Sequence, residues 1–138
     1  MNPGSRAIAW LDQAANDLAH ARHASDGGFF AQACYAAQQA AEKALKALLL
    51  HAGHDAGRTH SVVGLRRRLG EAGIEIPDDT LPLEDAQELT RLNIETRYPL
   101  GDAEDAPFEL FGPGHARRAI EISDRVVRLT QEILDGPD

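Results

Sequence analysis

In LNIETRYP (Leu92 to Pro99), Asn93 and Arg97 stand four residues apart. On a helix that spacing puts an amide and a guanidinium on one face, where both reach a single ligand or partner carbonyl. The plain alternative is a part-buried Asn beside an Arg that satisfies the acidic stretch from Asp102 to Asp105. Tyr98 adds a ring that either stacks on a base or plugs the helix end. Arg58, His60, Arg66, Arg67 and Arg68 make the one dense basic cluster of the chain. Around a helix N-terminus, such a cluster suits the phosphates of a nucleotide or RNA. Arg66 to Arg68 point in different directions around a helix, however, so simple solvation is the competing reading. Lys43, Lys46 and Gln39 extend the patch if their helix borders the same cleft.

Other reactive types carry less. His20 and His23, like His51 and His54, have the one-turn spacing of two metal ligands, but neither pair has a third ligand in a recognised pattern. Both read as helix-end surface histidines. Cys34, the single cysteine, has no base beside it on its helix face and reads as a small core residue. Without a Gly-rich phosphate loop, no cofactor and no metal is expected.

The elements that must position these groups are helical. Runs of alternating β-branched residues do not occur, while three- and four-residue apolar spacing recurs. The spacing predicts a first helix over Ser5 to Ala24, with Ser5 as N-cap and Ser25-Asp26-Gly27-Gly28 as its stop. A second runs from about Phe29 to Ala52. A short third follows Thr59-His60-Ser61, where Thr59 or Ser61 can cap, and a fourth covers about Leu83 to Thr96. The stretch from Pro99 to Gly112 reads as irregular, and Pro113 opens a last helix to about Leu134. Residues 1–138 therefore form one all-α domain, an up-and-down four-helix bundle with an additional short helix. A net charge of -8 argues against nonspecific grip on a nucleic-acid backbone. No apolar run approaches membrane-spanning length and no signal peptide is evident, so a cytoplasmic location is expected.

The second helix is unusual. On a wheel of about 100° per residue, Phe30, Cys34, Ala37, Ala41, Leu45 and Leu48 form one stripe, and Ala33, Ala36, Ala40, Ala44 and Ala47 form another beside it. Two apolar stripes mean neighbours on two sides, within the bundle or across a subunit boundary. The remaining strip holds Tyr35, Gln39, Glu42, Lys43 and Lys46, with Glu42 and Lys46 read as an ordinary i,i+4 surface pair. Gln38 falls at the edge of the apolar arc, where it is either a part-exposed shoulder residue or a polar contact in a cleft or interface.

The segments AWLDQAANDLAHA, ACYAAQQAAEKALKALLL, RTHSVVGLRRRL and LNIETRYP, in this order, resemble the HEPN (higher eukaryotes and prokaryotes nucleotide-binding) family. The resemblance covers most of the chain. It implies a helical up-and-down bundle that dimerises, with Gln38, Ala36, Ala40 and Ala47 at the subunit seam. It also implies an association with a minimal nucleotidyltransferase in toxin–antitoxin-like pairs, and nucleotide or RNA as ligand. Many members are metal-independent endoribonucleases whose motif is an Arg and a later His with four to six residues between them. Here Asp102 stands where the shortest-spaced His after Arg97 would be, flanked by Gly101 and Ala103, and Thr96 and Arg97 follow Arg91 at those spacings. The general acid/base of that reaction is missing from its usual place, so no catalytic residue is assigned. The reading is a homodimeric nucleotide- or RNA-binding module using Arg97, Asn93, Tyr98, Arg58, His60, Arg66, Arg67, Lys43 and Gln39. The enzyme alternative has His60 or His115 replacing the absent histidine across a dimer, and a bland alternative is a protein–protein scaffold.

Overall fold

The structure is a computed structural model and describes residues 3–136. Six helices account for its regular structure: α1 (Pro3–Asp26), α2 (Phe30–His51), α3 (Val62–Glu71), α4 (Leu83–Glu95), α5 (Pro107–Leu110) and α6 (Pro113–Asp135). No strand occurs among the described residues. The four long helices form the expected bundle and α3 is the additional short one. Ser5 lies inside α1 rather than at its cap, because the helix already begins at Pro3; proline is at home in a first turn, where its missing N–H has no partner to lose.

α1 and α2 form an antiparallel hairpin. The turn between them needs a positive φ, and Gly28 supplies it at +84°. Alanines line both sides of the hairpin: Ala7, Ala14 and Ala21 of α1, and Ala33, Ala36, Ala40, Ala44 and Ala47 of α2, are all buried. Side chains this short let two backbones approach closely over many turns. α6 packs on another side of α2 and runs parallel to it. Ser123 Oγ donates to the Ala37 carbonyl at 2.6 Å, and seven residues on Thr130 Oγ1 reaches the Ala44 carbonyl at 3.5 Å. α3 and α4 cover a third side, so α2 is surrounded. Its leucines gather in the last two turns: Leu45, Leu48, Leu49 and Leu50 are buried in this way, and so are Leu65 and Leu69 of α3. Each such side chain contributes about 1.5–3 kcal/mol by leaving water, so the bundle is anchored at this end.

Local signals explain the boundaries of the other elements. Ser61 caps α3, its Oγ accepting from the Gly64 N–H at 2.9 Å. Pro113 opens α6 after Gly112. A carboxylate joins α4 to α6: Asp85, 6% exposed, accepts from Arg118 at 2.7 Å and from Arg125 at 2.8 Å on its two oxygens. The turn α5 corrects the reading of Pro99 to Gly112 as wholly irregular. Pro107 starts it, and the Ala106 N–H donates to Glu109 Oε1 at 3.1 Å. Four residues are too few for a 3.6-residue period to register.

Candidate functional site

Arg97 follows the last turn of α4, which runs antiparallel to α2. Its Nε donates to the Asn93 carbonyl at 2.8 Å, which turns the guanidinium back along the helix. There it lies over two rings, 4.6 Å from the centroid of Tyr35 on α2 and 5.0 Å from that of Tyr98. Both tyrosine faces stabilise the cation through their quadrupoles. No carboxylate among the described residues pairs with Arg97, so the acidic stretch Asp102 to Asp105 does not claim it. Tyr98 is exposed rather than plugging the helix end, and Asn93 is half-buried.

Two turns along α2 from Tyr35, a polar cluster is built into the bundle. Glu42 is 2% exposed and Lys46 4%, and Lys46 Nζ donates to Glu42 Oε2 at 3.0 Å. Glu42 Oε1 accepts from Gln38 Nε2 at 3.1 Å, while Gln39 Nε2 donates to Gln38 Oε1 at 2.8 Å. His60, in the loop before α3, brings its Nδ1 to 3.1 Å from the same Glu42 oxygen while its side chain stays 63% exposed. The Lys46 ammonium also sits 5.5 Å from the centroid of Trp10. The expectation of a surface Glu42–Lys46 pair is therefore corrected, since the pair is buried. Its placement follows from α2 having packed neighbours on nearly every side, which leaves no solvated arc wide enough for both. Gln38, fully buried, is satisfied inside the chain by the cluster.

The basic cluster comes apart. Arg68 clamps a loop, donating to the carbonyls of Asp55 at 2.6 Å and Ala56 at 3.0 Å. Its guanidinium lies so close over Gly57 that a Cβ there would sit 2.7 Å from Nη1. Arg66 donates to the Leu81 carbonyl at 2.9 Å and to Asp78 at 3.3 Å. Lys43 pairs with Asp17 on α1 at 2.6 Å. Arg66 and Lys43 are thus spent on holding loops and helices together, which corrects their place in a free phosphate-binding patch. Arg58 and Arg67 are exposed, with no ion pair among the described residues. Of the residues expected at a subunit seam, Gln38, Ala40 and Ala47 are completely buried and Ala36 is 5% exposed, all within one chain. The hairpin with α1 and the contact with α6 cover them, leaving these side chains almost no surface to offer a second subunit.

A cleft of about 670 Å³ opens between the C-terminal half of α4, the start of α6 and the connection carrying α5. Leu92, Leu100, Leu110 and Phe111 form apolar walls, and Glu88, Arg91, Glu95, Tyr98, His115 and Arg118 are its polar members. Arg118 is held by Glu88 at 3.2 Å as well as by Asp85, and the Glu88 charge foremost, then that of Asp85, raises its pKa. The Gly112 N–H donates to His115 Nδ1 at 3.0 Å, and the Phe111 ring meets the imidazole edge-on. On α2, burial first and the Glu88 charge second push the Cys34 thiol up to about 12. Sequence reasoning missed this cleft, because its walls come from three stretches far apart in the chain. The only local sign was the number of apolar residues between Tyr98 and Phe111.

The chain is a small all-α bundle whose central helix carries a buried Gln-Glu-Lys cluster, with an arginine stacked on tyrosine at its edge. The HEPN domain model matches residues 7–134, and the chain belongs to the HEPN family. Solved structures agree along nearly the whole length. The chain is similar to TT1696 from Thermus thermophilus at 34% identity, covering 95% of this chain and 98% of the other with a TM-score of 0.84. It is similar to ST0689, an archaeal HEPN homologue, at 32% identity, with 93% and 97% covered and a TM-score of 0.75. A HEPN domain protein of Thermotoga maritima, TM0613, aligns at 29% identity over 93% and 98% with a TM-score of 0.71. No curated protein matches the sequence. No helix among the described residues is long and apolar enough to cross a membrane.

Proposed function

We propose that this HEPN protein is a homodimeric nucleotide- or RNA-binding module that acts with a minimal nucleotidyltransferase in a cytoplasmic toxin–antitoxin-like pair, without ribonuclease activity of its own. One observation carries the binding part: the Arg97 guanidinium rests on the rings of Tyr35 and Tyr98, and no carboxylate among the described residues pairs with it. A cation held this way keeps its outer N–H groups for a phosphate, and the exposed Tyr98 ring beside it can take a base. Arg58 and Arg67 contribute charge from the loop before α3 and from α3 itself.

The test is fluorescence anisotropy with labelled AMP and a short single-stranded RNA. Arg97→Ala is expected to weaken binding of both by about tenfold, in line with losing one charge-assisted phosphate contact. Unchanged binding in Arg97→Ala sinks the assignment. Incubation of the purified protein with RNA in EDTA is expected to leave the RNA intact.

One further reading has an observation in its favour. Glu42 holds His60 Nδ1, which leaves Nε2 facing solvent in the manner of a carboxylate-oriented general base. In the divergent endoribonuclease alternative, cleavage in EDTA would be seen and would vanish in His60→Ala. His115, whose Nδ1 already accepts from Gly112, lacks such a carboxylate partner.

A further inference from the structure

The cleft between α4, α6 and the α5 connection meets the stacked Arg97 at Tyr98, which lines its wall, but its charged groups are a separate set. Its volume of about 670 Å³ falls inside the usual range of small-ligand pockets, roughly 300–1,000 Å³. The charges on its walls are not equivalent. Arg118 and Glu88 neutralise each other at 3.2 Å. Arg91 and Glu95, also on the wall, stand one helical turn apart, yet neither has an ion pair or hydrogen bond to another side chain among the described residues. An arginine preceding a glutamate by four residues is the weaker order for pairing on a helix, which fits their separation. The cleft therefore presents an uncommitted guanidinium and an uncommitted carboxylate next to each other, against apolar walls.

His115 adds a fixed donor. Because Nδ1 accepts the Gly112 N–H, the ring proton of that tautomer is on Nε2. The edge-on contact with Phe111, 5.6 Å between centroids, holds the ring in place. A purely anionic ligand would face Glu95 uncompensated, and a purely cationic one would face Arg91. A molecule carrying both charges on one carbon, with an apolar remainder, satisfies all three groups.

We propose that this cleft binds a free α-amino acid with an apolar side chain. Its carboxylate sits on Arg91 and the His115 Nε2–H, its ammonium on Glu95, and its side chain packs against Leu92, Leu100, Leu110 and Phe111. The guanidinium takes the carboxylate in the bidentate geometry that suits it, and the apolar walls select for side-chain size more than for shape.

Isothermal titration calorimetry on the full chain tests this with L-phenylalanine and L-leucine as ligands. 3-Phenylpropionate and phenethylamine each keep the ring and lose one charge. Phenylalanine and leucine are expected to bind with one site per chain, and each one-charge analogue to bind at least about tenfold more weakly. Arg91→Ala and Glu95→Gln are each expected to cause a comparable loss for phenylalanine, while Glu132→Gln, near the C-terminal end of α6, leaves affinity unchanged. Circular dichroism melts that match the parent protein establish that the variants are folded. Absence of any binding at millimolar phenylalanine and leucine overturns the proposal. So does 3-phenylpropionate binding as tightly as phenylalanine, or an affinity indifferent to both Arg91→Ala and Glu95→Gln.

Discussion

Cys34 shows how far a single side chain can be set by its surroundings. Its burial on α2 and the nearby Glu88 charge hold the thiol protonated up to about pH 12, against 9.0 for the free group. Between these two values the unfolded chain gives up the proton while the folded one keeps it, so the native state binds more protons and stability falls as pH rises. Below pH 9 the term is constant. Urea titrations are expected to show the parent losing stability relative to Cys34→Ala between pH 9 and 12, with a slope of up to about 1.4 kcal/mol per pH unit. A difference independent of pH over that interval contradicts the assigned burial. Glu42 and Lys46 obey a related rule. Both charges are almost completely removed from water, so deleting one leaves the other stranded. Glu42→Ala or Lys46→Ala is expected to cost about 3–5 kcal/mol, and the double replacement Glu42→Met with Lys46→Met far less than the sum. A double-mutant cycle in urea measures it, and simple additivity would contradict the buried pair.

The helices themselves were legible in sequence because apolar spacing, Ser61, Gly28 and Pro113 all act locally. What α2 does with its side chains was less so. Its two apolar stripes correctly predicted neighbours on two sides, but a third layer, α3 with α4, covers most of the arc that the wheel left for solvent. Whether a polar residue on a helix shoulder is wet depends on a segment twenty or fifty residues away, and a period of 3.6 carries no such information. That is why Gln38 stayed ambiguous, Glu42 and Lys46 were placed on the surface, and Arg66 and Lys43 looked available. The Asn93–Arg97 face was readable, since an i,i+4 relation is local. The tyrosine under the guanidinium was not, since Tyr35 comes from another helix. For the alanine stripe, the fold favours the intrachain reading. Ala40→Leu is expected to cost about 1–3 kcal/mol by overpacking the α1–α2 and α2–α6 contacts, while the mass from light scattering stays that of the parent. A change of mass with full stability would return the stripe to a subunit seam.

Taken as one charged body, the protein has 22 acidic residues against 14 Lys and Arg, and the fold deepens the imbalance by committing cations to internal duties. Of the cations grouped by sequence around the proposed nucleic-acid site, Arg66, Arg68 and Lys43 hold loops or helices. Within that group, Arg58, Arg67 and Arg97 keep guanidinium ends clear of carboxylates and loop carbonyls among the described residues. Affinity for single-stranded RNA would then come from few phosphate contacts and from stacking on Tyr98, rather than from a broad electrostatic track. Each neutralised phosphate contributes about −0.7 to the slope of log K against log salt for a single strand. Three contacts set a limit near −2. Anisotropy titrations across a salt series are expected to give a slope no steeper than this, and Arg97→Ala to make it shallower by about 0.7. A slope near −3.5, equivalent to about five phosphates, would mean that the loop clamps Arg66 and Arg68 let go of their carbonyls when RNA binds.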